Sequence, residues 1–211
     1  MRMDVQTAEA RLLEAAEELF NQRGMQAVGM DDIRAASGVS LKRLYQVFPA
    51  KERLVEAVLV RRDREVKEAL AQHTAAHEAP RDRILAVFDY LDLWFSEPDF
   101  RGCTFINSFG ELGGTSEGVA GIVRENKQGL TDYLGELVAA AEGPAELADQ
   151  LAILANGAMA TAGILGSPEP ARQARAAAGV LLDAAGILNG ATVSSGRKVR
   201  RARRPGTSSR P

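Results

Sequence analysis

Apolar residues recur at helical spacing along almost the whole chain, in segments that end at glycine or proline. The first segment, RLLEAAEELFNQRG, places Leu12, Ala16 and Phe20 on one face, with Thr7 as a candidate N-cap and Gly24 as a stop. This periodicity predicts an all-α fold, with a small N-terminal helical domain followed by a larger helical bundle.

Residues 30–48 predict two short helices joined by a turn. MDDIRAASG carries acidic residues in its first turn and ends at Gly38, which favours a helix stop there. Ser40 is a candidate N-cap for the next helix, and Pro49 ends it. Helix, glycine-containing turn and helix is the arrangement that places a second helix in a DNA major groove.

The predicted third helix, residues 41–48, has two chemically different faces. On a helical wheel, Leu41, Val47 and Phe48 lie within about 60° of Leu44 and form an apolar arc. The opposite arc, which carries no acidic residue, consists of Lys42, Arg43, Tyr45 and Gln46. Such side chains bind base edges and phosphates. The alternative is an ordinary solvated face.

The blocks LLEAAEELFNQRG, DDIRAASGVS and RLYQVFPAKERL occur in this order between about Arg11 and Leu59. Together they resemble the DNA-binding domain of the TetR family of transcriptional regulators. The resemblance implies that Leu41, Lys42 and Tyr45 meet bases, whereas Arg43 and Lys51 meet phosphate. It also implies a dimer on double-stranded operator DNA and a small-molecule effector. Lys42 and Arg43 depart from the residues common in the family, so the operator sequence cannot be borrowed from a relative.

The resemblance and the periodicity divide the chain into three parts. Residues 1–50 are the helix-turn-helix domain, and residues 51–195 are the ligand-binding and dimerisation domain, beginning with a linker helix over 51–77. Residues 196–211 form a basic tail that we expect to be disordered, because its Arg, Gly, Ser and Pro residues lack apolar periodicity.

Large aromatic and apolar side chains concentrate in the middle of the second domain. They predict either an ordinary core or the walls of a cavity for a largely apolar effector. We take as candidate ligand-binding residues Phe88, Leu91, Trp94, Phe95, Cys103, Ile106, Asn107, Phe109, Glu111, Asn126 and Tyr133. Cys103 is either a redox sensor or, more commonly for an isolated cysteine, a small apolar filler.

The last two predicted helices are rich in alanine and glycine, which permits close helix packing. In the family, the corresponding pair forms a four-helix dimer interface. The candidate interface residues are Leu151, Leu154, Ala158, Ala162, Leu181 and Ala185. The alternative is that both helices belong to the core of the monomer.

Charge and composition bound the remaining possibilities. The chain has a net charge of −2, but seven basic residues lie from Arg197 onward, which leaves 19 basic residues against 28 acidic ones in the rest. The tail is either a phosphate-binding segment or a merely solubilising one. One cysteine and the lack of a long apolar run favour a cytoplasmic protein without a membrane partner.

The sequence favours a transcriptional regulator over an enzyme. It lacks the GxxxxGK[ST], HExxH and GxGxxG motifs, and both histidines precede residue 80. His73 and His77 share a helix face, but no other ligand cluster is evident, so we expect neither a metal nor a cofactor. The predicted function is a dimeric repressor that an effector releases from a palindromic operator. The alternatives are an activator or a helical protein-interaction module without ligand control.

Overall fold

The computed structural model describes residues 4–188, a range with nine α-helices and no β-strand. The all-α prediction is therefore confirmed. No helix in this range is both long enough and apolar enough to cross a bilayer. The basic tail predicted over 196–211 lies outside the described residues. The helices are α1 (Val5–Arg23), α2 (Met30–Ser37), α3 (Leu41–Val47), α4 (Lys51–Ala75), α5 (Pro80–Phe95), α6 (Thr104–Leu112), α7 (Glu117–Ala140), α8 (Glu146–Leu165) and α9 (Glu169–Ala184).

The first three helices enclose a small core of their own. α1 packs against both α2 and α3, and Leu12, Ile33 and Leu44 are fully buried there. The predicted N-cap at Thr7 is wrong. α1 begins earlier, and Asp4 caps it by accepting a hydrogen bond of 2.8 Å from the Thr7 N–H. An ionised carboxylate is the stronger acceptor at a helix N-terminus, which explains the difference.

The turn between α2 and α3 follows the sequence prediction. Gly38 ends α2 in the left-handed region, with φ of 66°, which residues with a side chain rarely adopt. Ser40 then caps α3, because its hydroxyl accepts from the Arg43 N–H at 3.4 Å. The turn therefore fixes the direction in which α3 leaves α2.

α4 joins the two parts of the chain. This helix of 25 residues contacts α1 on one side and α5 and α7 on the other. Its apolar residues Leu54, Val58 and Leu59 are buried in its first half, and Leu70 is buried near its C-terminal end. The helix ends at Ala75 instead of residue 77. The predicted division into domains stays a prediction.

The remaining helices form the bundle. α5 lies against α7, α8 and α9, and α8 packs on both α7 and α9. Phe88, Leu134, Leu151 and Leu182 are fully buried between them. This packing fixes α5 and α7 as two walls of the space described below.

Candidate DNA-binding surface and ligand cavity

The outward face of α3 carries the residues that the sequence singled out. Leu44 is fully buried against α1 and α2, which turns Tyr45 outward with 47% of its surface exposed. Lys42 and Gln46 are exposed beside it, and Arg43 is half-buried. A lysine, an amide and a phenol therefore share a surface that a DNA groove can contact.

Leu41 differs from the helical-wheel prediction. The wheel placed it in the apolar arc, but 48% of its surface is exposed. Leu41 is the first residue of α3, next to its cap, so it projects beyond the end of the core that covers Leu44. Its exposure agrees with the base-contacting position that the family resemblance implied.

Lys51 lies at the start of α4, beside the helix-turn-helix. Its ammonium donates a hydrogen bond of 3.3 Å to the Gln26 carbonyl in the loop between α1 and α2. Its predicted phosphate contact stays a prediction, since a lysine ammonium has three protons and can bond a carbonyl and an anion together.

A cavity of about 330 Å³ lies between α4, α5, α7, α8 and the beginning of α6. Five of the predicted ligand-binding residues line it, namely Leu91, Trp94, Cys103, Asn126 and Tyr133. Its volume and its mostly apolar walls are typical of a small-molecule site.

The other six predicted residues lie elsewhere. Phe88 and Phe95 are buried in the core, Ile106 is half-buried against it, and half of the Phe109 surface is exposed. Asn107 and Glu111 line a second, more polar cavity of about 660 Å³ between α1 and the loop that joins α5 to α6. A helical stripe identifies an apolar face, but it does not show which side chains border empty space.

Several residues that line the first cavity were not predicted from the sequence. α4 contributes Arg62, Val66, Lys67 and Leu70, and α7 contributes Lys127. The sequence predicts α4 only as a linker helix. The signal was present in α7, where Lys127 interrupts an apolar stripe formed by Val123, Leu130 and Leu134.

Several hydroxyl and amide groups are fixed around this cavity. The Tyr133 hydroxyl bonds the Thr74 hydroxyl, and the Asn126 amide donates to Asp63 Oδ1 at 2.7 Å. Burial raises the pKa of the Tyr90 hydroxyl, a shift that nearby Arg62 partly opposes. Tyr90 therefore keeps its proton at neutral pH and remains a hydrogen-bond donor.

Contacts at Gln26 link the helix-turn-helix to α6. The Gln26 N–H donates to Glu111 Oε2 at 2.8 Å, and its side-chain amide donates to the Glu111 carbonyl at 2.5 Å. Because α6 begins at the cavity wall with Thr104 and Phe105, one short helix connects the cavity to the N-terminal domain.

The predicted dimer-interface residues divide between two environments. Leu151, Ala158 and Ala162 are buried within the single chain, and Leu154, Leu181 and Ala185 are half-buried. Exposed apolar residues also lie on the same two helices, namely Ile153, Ile164, Leu165 and Val180, and exposed Leu188 follows the end of α9. α8 is apolar on nearly every side, so its composition could not identify the face that packs inward.

The histidine pair forms no recognisable metal centre. The ring centroids of His73 and His77 lie 6.0 Å apart, and His73 also lies beside Tyr90. Between residues 4 and 188, no group of three His, Cys, Asp or Glu side chains is placed to hold a metal ion.

Comparison with known proteins gives a family match in the N-terminal region. Residues 12–58 match the model of the bacterial regulatory proteins of the tetR family. This range begins within α1, includes α2 and α3, and ends in the first part of α4.

Curated relatives match a part of the chain. The HTH-type transcriptional activator FasR of Mycolicibacterium smegmatis is 40% identical over 86 residues, which are 39% of this chain and 39% of FasR. An uncharacterised HTH-type transcriptional regulator of Mycobacterium tuberculosis is 36% identical over 75 residues, or 37% of its length. The chain therefore matches about two fifths of the length of these relatives.

Solved structures extend the similarity to most of the fold. A TetR-family transcriptional regulator from Streptomyces coelicolor superposes with a TM-score of 0.79 at 28% identity, over 85% of this chain and 96% of its own. A putative regulator from Streptomyces avermitilis gives a TM-score of 0.74 at 29% identity, with 85% and 98% covered.

Proposed function

We propose that this chain, whose residues 12–58 match the tetR family of bacterial regulatory proteins, is a sequence-specific, DNA-binding transcriptional repressor. Two copies bind a palindromic operator, and a small, largely apolar effector releases them. The observation that carries this proposal is the outward face of α3, where Lys42, Tyr45 and Gln46 are exposed on a helix anchored by buried Leu44.

The chemistry of that face suits direct reading of bases. Lys42 can donate to the acceptors of guanine in the major groove, and Gln46 can bond adenine in two places. Tyr45 adds a hydroxyl and an apolar ring, and Leu41 can pack on a thymine methyl group. Arg43 on α3 and Lys51 at the start of α4 make the phosphate contacts that fix orientation.

The test is unbiased selection of bound sites from a random DNA library at moderate salt. The full chain should enrich a palindromic sequence. Tyr45→Ala should weaken the free energy of operator binding by about 1–3 kcal/mol and reduce base specificity at some positions of the site. Arg124→Ala is the matched control, because Arg124 is an exposed cation on α7, paired with Glu117.

Two results would contradict the proposal. One is the absence of any enriched sequence, which would favour the interaction-module alternative. The other is a Tyr45→Ala protein that selects the same sites as the unaltered chain, because α3 would then not be the reading helix.

The exposed apolar face of α8 and α9 supports a dimer. Ile153 and Ile164 project from one side of α8, with 72% and 83% of their surfaces exposed, and Val180 is exposed on neighbouring α9. The spacing of Ile153 and Ile164 along α8 places these two side chains within about 20° of each other around the helix axis. A second copy that covers this face with its own α8 and α9 buries it and gives the two-fold symmetry that a palindrome requires.

Two helices can carry the effector signal to the DNA-binding surface. α4 contributes Val66 and Leu70 to the cavity, and its first residue, Lys51, bonds Gln26. α6 begins at the same cavity and bonds Gln26 through Glu111. An effector changes the spacing of the two DNA-binding domains only insofar as it binds one arrangement more tightly than the other.

Activation is the second candidate, because the similar protein FasR is named an activator. The two functions differ in where the operator lies relative to the promoter. A transcription assay with the selected operator placed upstream of a promoter and, separately, overlapping it separates them. Stimulation from the upstream site would establish activation.

A further inference from the structure

Lys127 is a cation in an apolar part of the cavity. Its ammonium lies 3.4 Å from the Cys103 Sγ and 6.0 Å from the centroid of the Phe105 ring. Cys103 and Phe105 are both buried. In the described part of the chain, no carboxylate lies within ion-pair distance of this ammonium. A partly buried charge among apolar neighbours without a counterion is unfavourable, so the site favours an anion.

The other cations at the cavity already have acidic partners. Lys67 Nζ lies 2.6 Å from Asp63 Oδ2, and Arg62 Nη1 lies 3.8 Å from Glu17 Oε1. Lys127 therefore differs from both. A ligand that approaches Lys67 or Arg62 competes with a carboxylate, whereas one that approaches Lys127 does not.

The acidic residues that line the cavity are exposed to solvent. Asp132 and Glu136 are exposed on α7, and Asp132 also accepts a hydrogen bond from Gln128 at 2.9 Å. Water screens exposed charges, so they repel an anion beside Lys127 less than buried carboxylates would. The apolar side chains that line the cavity include Leu91, Phe105 and Met159.

We propose that this cavity binds a compact organic carboxylate, with its charge against Lys127 and its apolar body against the walls of α4, α5 and α8. The proposal rests on the proposed function, since it takes this cavity as the effector site. The volume of about 330 Å³ is at the small end of ligand sites, which sets the size of the molecule. Asn126 and the Tyr90 hydroxyl also line the cavity, and each can donate to a ligand oxygen.

The test compares acids with neutral molecules of the same shape. The probes are 4-phenylbutyrate with 4-phenylbutyramide, and octanoate with octanamide. Binding to the full chain is followed by the fluorescence of Trp94, the single tryptophan, which lines the cavity. We expect at least one acid to bind about tenfold tighter than its amide, as expected for a charge-assisted contact that replaces a neutral one.

The variants identify the group responsible. Lys127→Met keeps the length of the side chain and removes its charge, so the preference for acids should fall to about twofold or less. Lys127→Arg should retain the preference. Arg124→Met is the matched control, because it removes another cation of α7, one that lies outside the cavity lining and is paired with Glu117, and it should leave the preference unchanged. A melting curve for each variant confirms that it is folded.

Three outcomes overturn the proposal: amides that bind as tightly as acids, a preference that survives in Lys127→Met, or no binding of either acid at millimolar concentration. Failure of the proposed function is recognised separately. Site selection without ligand reports on DNA reading alone, so an enriched operator with no preference for acids rejects the carboxylate and retains the regulator. Carboxylate binding without any enriched operator rejects the regulator and retains the site.

Discussion

Arg81 is a buried cation that ties the beginning of α5 to the end of α9. Its guanidinium donates to the carbonyls of Ile187 and Gly179 and lies 2.8 Å from Asp183 Oδ1. Arg81→Met keeps the apolar part of the side chain but leaves these acceptors without their donor. We expect it to lower the free energy of unfolding by about 2–4 kcal/mol, measured by urea denaturation.

Arg172→Met is the matched control for this prediction. Arg172 also joins α9 to α5, since its Nε lies 3.1 Å from Asp92 Oδ1, but its side chain is exposed. An exposed ion pair contributes about 0–1 kcal/mol. Equal losses of stability in the two variants would show that burial gives Arg81 no special weight.

At the residue scale, the sequence predicted α3 well because its periodicity and its caps agree. Leu44 is buried and Tyr45 exposed, as the wheel required, and Ser40 caps the helix. The wheel wrongly placed Leu41 in the buried apolar arc, because a wheel assumes that the core extends along the whole helix. Thr7 was wrong as a cap because a nearby carboxylate, Asp4, is the better acceptor.

At the element scale, α6 is the short connection between the cavity and the helix-turn-helix. Glu111→Ala removes the carboxylate that accepts from the Gln26 N–H. A hydrogen bond to a charged acceptor contributes about 1.5–3 kcal/mol, so the Gln26 amide should exchange with solvent at least about tenfold faster. Hydrogen exchange followed by NMR measures this change.

The control for α6 is Glu117→Ala. Glu117 is an exposed acid that pairs with Arg124 on its own helix, away from Gln26. Its loss should leave the Gln26 exchange rate unchanged. If Glu111→Ala also leaves that rate unchanged, the contact does not hold the two parts of the chain together, and α4 alone remains as a route for the signal.

The elements of the bundle were easier to predict than their relations. Each helix has an apolar stripe, which is why the nine segments and the all-α fold follow from the sequence. A stripe does not identify its partner, so the contribution of Val66 and Leu70 to the cavity was missed. In α8, Ile153 and Ile164 on one face are as apolar as Leu151 on another, and only packing distinguishes them.

At the scale of the whole molecule, the exposed face of α8 and α9 is the proposed dimer interface. Ile164→Glu places a charge where an apolar contact is proposed, and burying an unpaired carboxylate is strongly unfavourable. We expect the unaltered chain to have twice the chain mass in solution by light scattering, and Ile164→Glu to approach the mass of a single chain. Operator binding should weaken in parallel, since both half-sites are then no longer held by one particle.

Leu93→Glu is the control for assembly, because Leu93 is a similarly exposed leucine on α5. It should leave the mass unchanged. A single-chain mass for the unaltered protein at micromolar concentration would contradict the dimer, as would an Ile164→Glu protein that keeps the double mass.

Because α4 is long, a small tilt at one end of the helix gives a large displacement at the other end. Leu70 borders the cavity and Lys51 bonds the helix-turn-helix loop, and the two lie about 28 Å apart at 1.5 Å per residue. A tilt of about 5° around the cavity end therefore sweeps the Lys51 end through about 2.5 Å. Hydrogen bonds to bases tolerate errors of only roughly 0.5 Å in distance, so an angular displacement too small to disturb the core is enough to break the reading of an operator.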